Sequence, residues 1–433
     1  MGVVSVNLRR SVRLAVALAA LAIASPAHAA APVSAHAMVH TCCTDTAELE
    51  RVFKEADALG SAYIRVDVEL NSSDWSGLDQ VMELSRRHHL PVLGILLAPP
   101  ASADAAEFGT LAGRVAEHAA GTINHWEILN EPDADWAFDG TAEDYARILS
   151  AAHDAIKARA PGAQVVLGGL LQPNDPAWLE RVFATPGTDA LHKFDIANIH
   201  LRGPVDLVVN RYRQFGAWLR ARGFDGPLWV TEHGYPADPN FQTDPAYRGG
   251  DDAQAAYLTQ SLVGLGEVHA DQVFVTLRDN AELLPVNATE GIVGRSAFAA
   301  VRRVVENWDQ LMAWRREQRE NEFATQYYLA AAASSTAEAR AARPPYREAR
   351  LRVHAAQDAL SAPHAASKPS ANARRRDARR LSRLTRRLEQ ARALLAGRRT
   401  ALLWHTAVAR WRRGQADERA LTAFALKQRI AGG

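Results

Sequence analysis

From Ala35 to Val305 the chain alternates short, continuously apolar runs with longer stretches in which apolar residues recur every three or four positions. The short runs are Ala35–His40, Ala62–Val68, Pro91–Leu97, Ile123–Leu129, Gln164–Leu170, Phe194–His200, Leu228–Thr231 and Gln272–Leu277. Several are apolar throughout rather than alternating, the pattern of strands covered on both faces of a parallel sheet. Between them the helical period marks Thr46–Leu59, Leu78–His88, Ala105–Ala119, Ala142–Ala160, Ala177–Phe183, Val208–Arg222 and Ala253–Val268. A last helix, Ala297–Val305, is reached through Thr289-Glu290-Gly291-Ile292-Val293-Gly294. Eight strands, each followed by a helix, over about 270 residues predict an α/β chain folded as a (β/α)8 TIM barrel. The competitor is an open doubly wound sheet, which usually has fewer strands; no glycine-rich phosphate loop follows the first strand here.

Beyond the barrel the pattern changes. Trp308–Ala341 predicts a helix, Pro344-Pro345 should break it, and Arg347–Leu360 restarts it. Residues 361–373 read as a Pro/Ser/Ala linker, partly disordered. Leu381, Leu384, Leu388, Ala391, Leu395 and Leu402 then share one helix stripe, with Arg398 interrupting, as in a coiled-coil seam or helical hairpin. The expected organisation is a leader over 1–29, the barrel over 30–307, and a basic all-α extension over 308–433.

Composition is ordinary for a globular chain, 48% hydrophobic and 23% charged over 433 residues, but the net charge of +1 hides a split. Through Asn307 there are 24 Lys+Arg against 38 Asp+Glu; from Trp308 onward there are 26 against 11. An acidic body joined to a basic tail points to an anionic polymer or membrane surface as partner of the tail, with a solvated helix face as the bland alternative. Arg9, Arg10 and Arg13, the apolar run Leu14–Ala24 and Ala27-His28-Ala29 read as a secretory signal cleaved near Ala29/Ala30, too short to span a bilayer. The mature protein is therefore expected outside the cytoplasm, secreted or in the cell envelope, where nucleic acid is not an expected partner. The only cysteines, Cys42 and Cys43, are adjacent. They form either a vicinal ring in an oxidising compartment or two half-buried thiols.

In a barrel of this kind chemistry gathers at the C-terminal strand ends. The fourth strand ends Trp126-Glu127-Ile128-Leu129-Asn130-Glu131-Pro132 and the seventh Thr231-Glu232-His233-Gly234-Tyr235-Pro236, each setting a carboxylate just past an apolar run. Two carboxyl groups facing each other, about 5–5.5 Å apart, are what double-displacement cleavage of a glycosidic bond needs. Strands four and seven lie across the mouth from each other.

These two segments resemble the acid/base and nucleophile motifs of the retaining (β/α)8 glycoside hydrolases whose glutamates sit on strands four and seven (clan A), family 39-like or family 5-like. The resemblance covers about Val33 to Val305. It implies Glu131 as acid/base, Glu232 as nucleophile and Asn130 at the sugar 2-hydroxyl. Ala62-Tyr63-Ile64-Arg65-Val66-Asp67 resembles the family's second strand, making Arg65 a support for the nucleophile; Phe194-Asp195-Ile196-Ala197-Asn198-Ile199-His200 resembles the sixth, making His200 a neighbour of it. The chain departs from the pattern where Val273-Phe274-Val275-Thr276-Leu277-Arg278-Asp279 lacks a subsite Trp and where His233 follows the nucleophile. Trp75, Trp136, Phe138, Tyr235 and Tyr247 are candidate sugar platforms or loop seals, and His40 could bind a hydroxyl or pack in the core. Two readings follow: a secreted retaining hydrolase of a β-linked glycan needing no metal or organic cofactor, or a weakly catalytic glycan- or wall-binding protein using barrel and tail. Transglycosylation by the same two glutamates is a third.

Overall fold

The computed structural model describes residues 31–70, 74–97, 104–171, 176–280, 285–362 and 371–432. The proposed leader therefore lies outside the described residues. Eight parallel strands, β1 (Val33–His40), β2 (Ile64–Glu69), β3 (Val92–Leu97), β4 (His125–Ile128), β5 (Gln164–Val166), β6 (Ala197–Leu201), β7 (Leu228–His233) and β8 (Gln272–Thr276), form one sheet in the order β5-β4-β3-β2-β1-β8-β7-β6. The bridges Val166↔Ile196 and Leu170↔Ile199 draw its two edges together into a barrel. The helices α1 (Thr46–Leu59), α2 (Ser76–His88), α3 (Ala105–His118), α4 (Ala142–Arg159), α5 (Ala177–Ala184), α6 (Val205–Arg220), α7 (Asp251–Glu267) and α8 (Ser296–Glu306) follow the strands in turn. Their starts obey local rules: Asp45 and Asp104 cap α1 and α3, and Thr141 with Asp144 makes a capping box on α4.

Strand alternation divides the barrel into layers. Outward residues such as Val66, Trp126, Ile199 and Val230 pack against the helices in the main core. Inward residues at the lower end form a separate plug of Leu93, Val166, Ile196, Trp229 and Phe274, against which Tyr63 packs. Two residues further along β2, β4 and β6 the inward positions turn polar, with Arg65, Glu127 and Asn198 all buried. The apolar plug thus ends where the chemistry begins.

The extension is a helical hairpin. α9 (Trp308–Ser361) and α10 (Ala371–Gly432) run antiparallel, as the pairs Arg419–Asn321, Arg412–Ser335 and His405–Glu338 show. Its base is fixed to the barrel: Trp308, Leu311 and Ile430 join the main core, and Arg315 and Arg319 bond Glu267 at the end of α7. The expected break at Pro344-Pro345 does not occur; α9 runs through both prolines. Each proline removes a ladder hydrogen bond, but Ala339 and Ala349 on either side are buried in a hairpin whose partner helix runs alongside, which holds the helix continuous. Ala371 to Ala373, expected in the linker, begin α10, while 363–370 lie outside the described residues.

Candidate active site

Four strand ends converge on Glu232. Arg65, on β2, is 1% exposed and donates through Nε and Nη2 to both oxygens of Glu127, each at 2.9 Å. Its Nη1 donates to Glu232 Oε1 at 2.8 Å, and Nη2 to Asn130 Oδ1 at 2.8 Å. His36 Nε2 lies 3.1 Å from the same Nη1. A guanidinium only donates, so His36 accepts as a neutral ring. Burial drives its pKa down to about 3, which keeps it neutral.

A second arginine holds the other oxygen. Arg202, just past β6, donates through Nη2 to Glu232 Oε2 at 3.1 Å and through Nε to Glu290 Oε1 at 2.8 Å. Glu290 lies in the loop before α8 and is buried, and burial raises its pKa. Burial also works against charge on Glu232, but His200, Arg65 and Arg202 around it hold its carboxyl well below the usual range. Glu232 is thus an ionised carboxylate with each oxygen fixed by a different arginine. A register shift in β7 between Val230 and His233 re-aims the strand. Glu232 turns to the barrel axis, while His233 turns outward to bond Leu201 O at 2.9 Å and Ser261 at 2.8 Å.

Glu131 sits in a different setting. Leu129 and Glu131, either side of Asn130, have φ of 63° and 46°, left-handed values that non-glycine residues adopt at a cost of order 1–3 kcal/mol. The Glu131 N–H donates to Gly169 O at 3.1 Å, which helps hold the turn. Its carboxylate meets His200 Nδ1 at 2.6 Å, and His200 Nε2 lies 3.2 Å from the Thr231 hydroxyl. His200 fits only because residue 169 is glycine, where a Cβ would come 2.1 Å from Nε2. One carboxylate oxygen of Glu131, one of Glu232 and a His200 nitrogen lie within 4.8 Å of one another. Three such donors could hold a cation by distance, but two guanidinium groups already occupy Glu232 and would repel one.

The structure therefore gathers Glu131, Glu232, Asn130, Arg65 and His200, and adds Glu127, His36, Arg202 and Glu290. His40 stands at the rim, 49% exposed, with Nδ1 2.6 Å from Glu69 and Nε2 3.4 Å from Asp67. Beside it, a cleft of about 570 Å³ is lined by Met38, His40, Thr44, Arg278 and Asp279 among others. Tyr235 is no sugar platform: it is 1% exposed, stacks on Tyr257 at 3.8 Å and bonds Tyr247 O at 2.7 Å, sealing the loop after β7. Phe138 is buried against Tyr145, and Trp75 is half-buried against His118. Trp136 is 70% exposed in the loop after β4, free to meet a ligand. Cys42 and Cys43 form a disulfide, and Glu69 accepts the Cys42 N–H.

Two of the missed residues leave a trace in sequence. His36 and Glu127 are polar residues flanked by apolar neighbours within strands, a placement that burial permits only with partners. Arg202 and Glu290 carry no such mark, since they meet across 88 residues of chain.

No family model and no curated protein matches the sequence. Solved structures do match in fold. A GH5_18 protein from Streptomyces cattleya, in complex with Manβ1-4GlcNAc, has a TM-score of 0.50 at 15% identity over 64% of this chain and 81% of that one. A family 39 glycoside hydrolase from the gut symbiont Bacteroides cellulosilyticus WH2 has 0.49 at 15% identity, over 64% of this chain and 63% of that one. An exo-β-1,4-mannosidase from Opitutaceae bacterium strain TAV5 has 0.48 at 17% identity, over 65% and 60%. The chain thus spans less than two thirds of the length of two of these three. Its fold is that of the (β/α)8 glycoside hydrolases.

Proposed function

We propose that the protein is a retaining O-glycoside hydrolase acting on a β-linked glycan. The observation that carries this reading is the unlike pair Glu131 and Glu232. They lie close enough for double displacement, whereas inversion needs about 6.5–9.5 Å to admit a water between them. Their surroundings support different roles for the two. Glu232, clamped by two arginines, is the fixed anionic nucleophile. Glu131, bonded to a histidine and to no arginine among the described residues, protonates the leaving oxygen and then deprotonates the water that releases the glycosyl-enzyme. Asn130, its Oδ1 taken by Arg65, has its amide N–H groups to offer the 2-hydroxyl.

The carbohydrate is the partner of the barrel; the basic extension is the part that meets an anionic polymer or surface. Secretion through a leader over 1–29 fits the Cys42–Cys43 disulfide, since disulfides persist in oxidising compartments. No described helix is long and apolar enough to cross a membrane. The reading is tested with Glu232→Ala on a panel of activated aryl β-glycosides. A fall in kcat of about 10⁴-fold or more on whichever glycoside the parent cleaves is expected, because the covalent step is lost. Parent-like turnover by the variant, or no turnover of any glycoside by the parent, overturns it.

A further inference from the structure

The outer face of α10 carries a row of arginines that the fold does not use. At 3.6 residues per turn, Arg375, Arg376, Arg379, Arg380, Arg383, Arg386 and Arg387 fall on one side of the helix, away from the seam of Leu381, Leu384, Leu388 and Leu395. All seven are exposed, whereas the four leucines are half-buried in the hairpin seam. Among the described residues none of the seven is ion-paired; Arg386 reaches only Ser382. The acids at pairing distance, Asp377 three residues before Arg380 and Glu389 three residues after Arg386, form no ion pair with them among the described residues. Instead 375 with 379, 376 with 380, 379 with 383 and 383 with 387 are like-charge i,i+4 neighbours, each unfavourable by about 0.2–0.5 kcal/mol. A helix face kept only for solubility would intersperse glutamates, as α9 does where Arg352 meets Glu348. Seven arginines over a rise of about 18 Å accept a stability cost that a bound polyanion removes.

We infer that this face is a docking strip for an extended anionic polysaccharide. Guanidinium forks bind carboxylate or sulfate groups in bidentate fashion, and a straight row of them matches a linear charged chain. The strip has no large apolar side chain to enter a lipid interface and no aromatic ring on which bases could stack. The preference for glycan over other polyanions also rests on the barrel reading given above, and deepens its partner half. Arg374–Arg387 lie at the end of the hairpin opposite the base that docks on α7. A polymer held there is tethered without blocking the barrel mouth.

The test uses the full-length protein with polygalacturonate and heparin as probes, and neutral dextran, double-stranded DNA and phosphatidylglycerol vesicles as comparisons. The parent should bind at least one anionic glycan, and lose tenfold or more of that affinity as salt rises from about 50 to about 200 mM. Arg375→Gln, Arg379→Gln, Arg383→Gln and Arg387→Gln combined should weaken binding by about tenfold or more, with helix content and aryl-glycoside turnover unchanged. Binding of both glycans at the parent level by the quadruple variant overturns the assignment. So does tighter binding to DNA or vesicles than to either glycan, or no glycan binding at all. Because turnover is read on small neutral glycosides, failure of the strip and failure of the barrel chemistry appear in separate assays.

Discussion

Arginine does opposite things in the two halves of this molecule. In the barrel, Arg65 is buried and Arg202 half-buried, each shared between Glu232 and a second buried glutamate; burial opposes their charge, but those acids outweigh it and raise both guanidinium pKa values further. On α10, seven arginines lie exposed, none of them ion-paired among the described residues. The first set is positioning machinery: its partners are inside the protein, and its geometry fixes one carboxylate from two sides. The second set is open, and its partner is expected from outside. What separates them is the company the same side chain keeps.

That contrast can be broken most severely at Arg65. Arg65→Met keeps the apolar stem but strips Glu127, Glu232 and Asn130 of their donor. Leaving buried charge unpaired costs about 3–5 kcal/mol, measurable by urea denaturation, and turnover should fall together with stability. A smaller effect is expected at Asp67, one inward position above Arg65, where burial raises the pKa from 3.8 to about 6. A carboxyl whose folded pKa lies above its unfolded value destabilises the fold once ionised, so this penalty is absent at low pH, grows between about pH 4 and 6 and is complete above it. Asp67→Asn should therefore stabilise the protein at pH 7.5 by on the order of 2 kcal/mol, and the gain should shrink toward pH 4.5; an equal gain at both pH values would contradict the assignment. The smallest effect belongs to the strip. Replacing four of its arginines by glutamine should leave stability unchanged or raise it by at most about 1 kcal/mol, so a clear loss of stability would mean that these side chains hold the hairpin together.

The fold was legible because its information is local and repeated. Helix α1 begins at Thr46 and ends at Leu59 as the periodicity predicts, with Asp45 as its cap, and the strands depart from expectation only at their ends. That Glu131 and Glu232 come together was legible because a carboxylate after an apolar strand has one place to go in a barrel. What escaped was what needs three dimensions. Arg202 and Glu290 join two loops with no shared motif, and Tyr235, two residues past His233, turns away to stack on α7 through Tyr257. Trp404 and Trp411 on α10, large apolar side chains, are 67% and 59% exposed rather than packed in the hairpin. Pro344-Pro345 misled because a local breaking rule was overruled by a partner helix far along the chain.

The central claim is that Glu131 and Glu232 act as acid/base and nucleophile of a double displacement. It is tested most directly by the product that Glu131→Ala forms from an activated aryl β-glycoside in the presence of azide. With the general base gone and Glu232 intact, the glycosyl-enzyme should be captured to give the β-glycosyl azide, with turnover restored as azide is added, both read by proton NMR. An α-glycosyl azide, or no azide adduct and no rescue, would contradict it.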